Sequence, residues 1–116
     1  MSTSAPATTP SLLDGRRFEG VVLERGKTAG DADTLIFEHG LFRSTACDRY
    51  GYGDGPYSAH TTPEGLAFEA ETESAQYGKL RWAGTVRGEK LDGTMTMVRD
   101  GKAAGEKWVV AGETTQ

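Results

Sequence analysis

The stretch that decides the fold is Lys79–Val98, KLRWAGTVRGEKLDGTMTMV. A two-residue loop at Gly88-Glu89, with Gly first as a type II′ turn prefers, sets Val86 against Leu91, Gly84 against Gly93, Trp82 against Met95 and Leu80 against Met97. Each large apolar residue then meets another. The opposite face carries Lys79, Arg81, Thr85, Arg87, Lys90, Asp92, Thr94 and Thr96, all side chains that water accepts. Alternation with a period of two on both arms predicts an antiparallel hairpin with one buried face.

Reading outward gives two further hairpins in the same phase. Glu69, Glu71 and Glu73 alternate with Phe68, Ala70 and Thr72, and pairing Glu73 with Lys79 puts Glu71 opposite Arg81 on the outer face. Such a pair contributes about 0.2–1 kcal/mol, so it marks register more than it holds the fold. A His39-Gly40 type I′ turn needs positive φ at both central residues, which His tolerates better than most. That turn sets Phe37 across from Phe42 and Leu35 across from Ser44. Turn signals recur about every 10 residues, the rhythm of a sandwich or barrel. Eight strands are predicted: Arg17–Arg25, Thr34–Glu38, Leu41–Ala46, Tyr57–Thr62, Leu66–Ser74, Lys79–Arg87, Lys90–Val98 and Glu106–Ala111. A facing Gly84 and Gly93 reads as a sharp bend, and closure removes the edges an open sheet must protect. The expected fold is all-β, an antiparallel up-and-down barrel of about eight strands.

The rest of the chain bounds this reading. Its 116 residues suit one core. Residues 1–11, rich in Ser, Thr, Ala and Pro, are expected to be a disordered tail, followed by a short turn over Pro10–Gly15 and one barrel domain over 12–116. Leu, Ile, Val and Phe number only 19, yet the net charge of −4 and the regular alternation are not those of a disordered chain. Lys and Arg are scattered, which argues against a nucleic-acid partner. No apolar run approaches the roughly 20 residues of a membrane span, and no signal-peptide pattern opens the chain. As written the chain reads as cytoplasmic; if the tail is the remnant of a processed precursor, it reads as periplasmic or secreted. Cys47 stands alone, so no internal disulfide is available.

About eight meandering strands, short turns, a Trp on the sixth strand and inward aromatics together resemble the lipocalin and avidin-type calycin barrels over residues 17–112. Phe18-Glu19-Gly20 stands where lipocalins carry Gly-x-Trp. The segment Cys47-Asp48-Arg49-Tyr50-Gly51-Tyr52 is similar to the Gly-Cys-Asn segment of the bacterial META domain, with Ala46 in place of the Gly. The calycin resemblance is architectural and implies a lipocalin-like barrel fold.

The inward face derived from register is Phe37, Phe42, Phe68, Leu80, Trp82, Val86, Leu91, Met95, Met97, Trp108 and Val110, with Ser44, Ala46, Ala70 and Thr72 leaving space. Such a barrel interior is either filled by its own side chains or holds one small molecule. A three-residue turn at Pro63-Glu64-Gly65 sets His60 against Phe68, facing inward, where a desolvated imidazole is the candidate general base. Tyr50 and Tyr52 sit on a Gly-hinged loop suited to a lid. The expected ligand-binding set is Phe37, Phe42, Tyr50, Tyr52, His60, Phe68, Trp82, Met95 and Trp108. Neither a metal cluster nor a cofactor motif stands out. Asp48 and Asp54 fall short of a Ca2+ loop, and Gly51-x-Gly53-x-Gly55 lacks a strand–helix context.

Three functional readings follow. The first is a non-enzymatic barrel that binds a small hydrophobic ligand. The second is a filled structural barrel with a homo-oligomeric contact. The third is a cofactor-free isomerase or cyclase in which His60 or a Tyr moves a proton.

Overall fold

Alternation of apolar and polar residues, read strand by strand, becomes a closed antiparallel barrel in the computed structural model, which describes residues 13–24 and 26–114. The strands are β1 (Arg16–Glu24), β2 (Asp31–Glu38), β3 (Leu41–Ser44), β4 (Asp54–Thr62), β5 (Gly65–Ser74), β6 (Gly78–Arg87), β7 (Lys90–Arg99) and β8 (Lys102–Glu113). They neighbour one another in chain order, and β8 closes onto β1. A 3-10 helix, Thr45–Tyr50, interrupts the meander between β3 and β4. The tail expected over residues 1–11 lies outside the described residues; Leu13–Gly15 is a turn.

The deciding hairpin has the expected register: Trp82 pairs with Met95, Leu80 with Met97, Val86 with Leu91 and Gly84 with Gly93. Gly88 alone has positive φ in its turn, 59°, as a type II′ turn demands. His39 and Gly40 have φ of 56° and 74°, the type I′ pair, and Phe37 faces Phe42. Asp100-Gly101 makes a second such turn, with φ of 53° and 76°. The two facing glycines allow backbone contact no other residue permits: a Cβ on Gly93 would stand 2.3 Å from the Ala83 carbonyl oxygen.

Two registers differ from expectation. Between β4 and β5 the turn has two residues, Pro63 and Glu64, because the Thr62 hydroxyl accepts from the Glu64 N–H (3.2 Å) and donates to the Gly65 carbonyl (2.9 Å). Ala59 therefore faces Phe68, and His60 faces Ala67 on the outer wall, exposed to solvent. The one-residue slip turns the whole face. In β8, pairing counted from the Asp100-Gly101 turn without interruption would set Trp108 against Gly93 and point it inward. A register shift at Met97/Val98 adds one residue to β8, so Val109 takes that place and Trp108 faces Thr94. Trp108 and Val110 are 45% and 47% exposed, while Val109 and Ala111 are buried.

The barrel has two unlike ends. At one, the turns 39–40, 63–64 and 88–89 are tight. All four phenylalanines gather there: the Phe37 ring lies 5.9 Å from Phe18, 5.2 Å from Phe42 and 5.2 Å from Phe68, with Tyr57 at 4.9 Å. Fully buried Leu13 plugs this end. Its neighbour Asp14 accepts from the Tyr57 hydroxyl (2.6 Å) and the Gly40 N–H (3.1 Å). Across the β1–β8 seam Arg16 grips Glu113 in two-point fashion (3.0 and 2.7 Å) and lies 5.4 Å from the Phe18 ring. The other end, where the connections 26–30, 45–53, 75–77 and 100–101 gather, is the mouth.

Candidate functional site

The inner face of β2 runs Phe37, Leu35, Asp33, Asp31 toward the mouth, so the alternation that buries two apolar side chains also carries two carboxylates to that end. Asp33 is buried, 8% exposed. It accepts from the Ser44 hydroxyl and, at 3.1 Å, from the Ala46 N–H, and these contacts end β3 and start the 3-10 helix. Burial pushes the Asp33 carboxyl above its ordinary range, against the pull of those hydrogen bonds.

The helix is tied down along its length. The Arg43 guanidinium clamps Asp48 (Nη2 2.5 Å, Nε 3.0 Å). Gly51, at φ 85°, ends the helix and donates its N–H to the Asp48 carbonyl (2.9 Å). The Ser74 hydroxyl donates to the Tyr50 carbonyl (2.8 Å) and accepts from the Gln76 and Tyr77 amides (3.2 and 3.3 Å), joining the helix to the β5–β6 turn. As a result three tyrosines from two connections meet at the rim: the Tyr77 ring packs edge-on to Tyr50 at 5.7 Å and stacks with Tyr52 at 6.4 Å.

Beneath this rim is a recess of about 410 Å3. Leu80, Trp82, Met95 and Met97 form its apolar wall and floor, Val22 and Cys47 its side, and Asp31, Asp33, Arg99 and Lys107 its polar perimeter. Trp82 donates its indole N–H to the Thr72 hydroxyl (3.3 Å) and rests on Phe42 at 4.9 Å, so the floor is rigid. Below it the aromatic cluster fills the barrel. Burial raises the Cys47 thiol, opposed by a hydrogen bond with Ser44, and so holds the thiol in its protonated, weakly nucleophilic form. Burial likewise raises the Tyr52 hydroxyl.

Of the residues expected to bind ligand, Tyr50, Tyr52, Trp82 and Met95 line the recess. Phe37, Phe42 and Phe68 face inward as expected but are packed into the closed end, away from the recess. His60 and Trp108 are on the outer wall, each beside a shallow hollow, so the imidazole has no reach into the interior. Sequence reading missed Asp31, Asp33, Tyr77, Arg99 and Lys107. The inner-face parity of Phe37 and Leu35, and of Met95 and Met97, extends to Asp33 and Arg99 and could have found both. Among the described residues no three His, Cys, Asp or Glu side chains gather to hold a metal ion, and no helix is long and apolar enough to cross a membrane.

Comparison with protein-family models, characterised proteins and solved structures returns no match to the chain. The closed eight-stranded antiparallel barrel agrees with a calycin-like architecture, and the likeness is one of architecture alone.

Proposed function

We propose that the protein is a small-molecule-binding β-barrel whose ligand enters at the tyrosine-rimmed mouth and rests on Trp82. The observation that carries the reading is the recess itself: a concave, mostly apolar space with a few convergent polar groups, bounded by the inner faces of β6 and β7 and by the strapped 3-10 helix. Its size suits one small molecule with an apolar or aromatic body. Tyrosine rings at the rim offer flat, amphipathic contact at small entropic cost.

Trp108→Phe makes Trp82 the sole tryptophan, because the chain has two. Titration of this variant with the neutral probe N-phenyl-1-naphthylamine should quench Trp82 emission saturably, with energy transfer to the probe. A folded variant whose emission is unchanged across the titration would remove the support for this reading.

A second reading, self-association, has one observation in its favour. Trp108 and Val110 are exposed on the outer wall, with Leu23 and Val21 paired beside them on β1. Sedimentation at rising concentration tests it: a monomer throughout rejects it, and a dimer abolished by Trp108→Glu upholds it.

A further inference from the structure

What the recess selects is set by its charged groups, because its apolar wall would accept almost any small hydrophobic body. Four ionisable side chains reach the perimeter, and they are not equivalent. Asp33 has its oxygens engaged by Ser44 and Ala46 inside the protein. Asp31 is exposed at the rim. Lys107 is half-buried on the inner face of β8, directly opposite Met95, where lysine is seldom placed. Arg99 continues the inner parity of Met95 and Met97 to the lip. Among the described residues, neither Lys107 nor Arg99 has a carboxylate within ion-pair distance, although the chain is acidic overall and supplies 17 carboxylates. Among the described residues, the ion pairs that do form lie outside the recess.

Two cations with free donors therefore flank an apolar floor, while the one deeply buried anion of the site is already hydrogen-bonded. Resting on the binding-pocket reading above, we propose that the ligand is an amphipathic monoanion: an apolar or aromatic body seated on Trp82, Met95 and Met97, with a carboxylate-like head held by Lys107 and Arg99. Lysine gives this head a compact point charge, and arginine gives it planar paired donors. The bulk of the binding energy comes from the apolar body, and the cations set orientation and discriminate against neutral and cationic analogues.

The test uses three probes that share one body and differ in the head: 4-phenylbutyrate, 4-phenylbutanol and 4-phenylbutylamine at neutral pH, each titrated calorimetrically into the full chain. The carboxylate should bind about tenfold more tightly than the alcohol, the scale of one hydrogen bond to a charged group. Lys107→Met with Arg99→Met should erase that advantage, so that carboxylate and alcohol bind alike, and Lys107→Arg should retain it. If the methionine variant fails to fold, raising NaCl on the native protein serves instead: the advantage shrinks with salt while alcohol binding does not. Equal affinity for carboxylate and alcohol overturns the anion proposal and leaves the pocket intact. Tightest binding of the amine overturns it in favour of the aspartates. Failure of all three probes to bind removes the pocket reading and this one with it.

Discussion

The two ends of the barrel are made from the same eight strands and differ in what fills them. At the closed end two-residue turns draw the strands together and the other three phenylalanines interlock around Phe37, under the Leu13 plug. At the mouth three of the four connections are longer, the inward residues include methionine, tyrosine and charged groups, and a recess remains above Trp82. A chain with only 19 Leu, Ile, Val and Phe residues concentrates its rigid apolar volume at one end. Stability then rests on the filled half, and the other half keeps a recess that its own side chains do not fill.

The sharpest way to break that contrast is to remove matching aromatics from the two ends. Phe37→Ala should cost about 3–5 kcal/mol in urea unfolding, because its cavity opens among four rings. Tyr77→Ala should cost about 1 kcal/mol or less while weakening probe binding, since its contacts are the rim rings. Equal losses from the two would contradict a division of labour between the ends.

The tryptophans give a smaller, independent contrast between floor and outer wall. Trp82→Phe should destabilise by about 1–3 kcal/mol, through the orphaned Thr72 hydroxyl and lost volume, and should weaken ligand binding. Trp108→Phe, on the exposed face, should change stability by about 0.5 kcal/mol or less and leave ligand binding as it was.

Acid should act oppositely on the two ends. The Tyr57 hydroxyl holds Asp14 below its ordinary value, and Arg16 does the same for Glu113. Both contribute stability above the ordinary carboxylate range, and that contribution is lost as pH falls through their lowered folded values. Burial holds Asp33 above its ordinary value. Its contribution is whole below the unfolded pKa of about 3.9 and is lost as pH rises through the raised folded value. Thermal melts from acid to neutral pH should therefore show Asp33→Asn gaining on the native protein as pH rises. Asp14→Asn should close its deficit as pH falls below about 4. Parallel curves for both variants would contradict the assigned surroundings. The smallest effect belongs to the outer wall, where Glu71→Ala, which breaks exposed contacts to Lys79 and Arg81, should cost about 0.5 kcal/mol or less.

Two of the three turns at the closed end, 39–40 and 88–89, are legible in the sequence, and the third, 63–64, is not. Hairpins with glycine-marked turns and clean alternation, such as Lys79–Val98 and Leu35–Ser44, declare their register because only one pairing buries the apolar residues. Register was lost where local geometry inserts or removes a residue without a composition signal. The Thr62 hydroxyl tightens one turn, and an extra residue opposite Met97/Val98 rotates β8. The run Trp108-Val109-Val110 satisfies either phase, so alternation alone could not choose. The mouth is harder to read because its side chains are polar, and they come from the 45–53 and 75–77 connections and from β2, β7 and β8, brought together only by closure.

If the proposed site is real, ligand meets the Trp82 floor of the recess and leaves the outer wall around Trp108 untouched. The most direct measurement is a two-dimensional spectrum of protein carrying 13C-methyl methionine and 15N-indole tryptophan, titrated with 4-phenylbutyrate. The expected result is saturable shifts of the Met95 and Met97 methyls and the Trp82 indole, with Trp108 unmoved. Saturable shifts confined to Trp108, or no saturable shift at all, would contradict it.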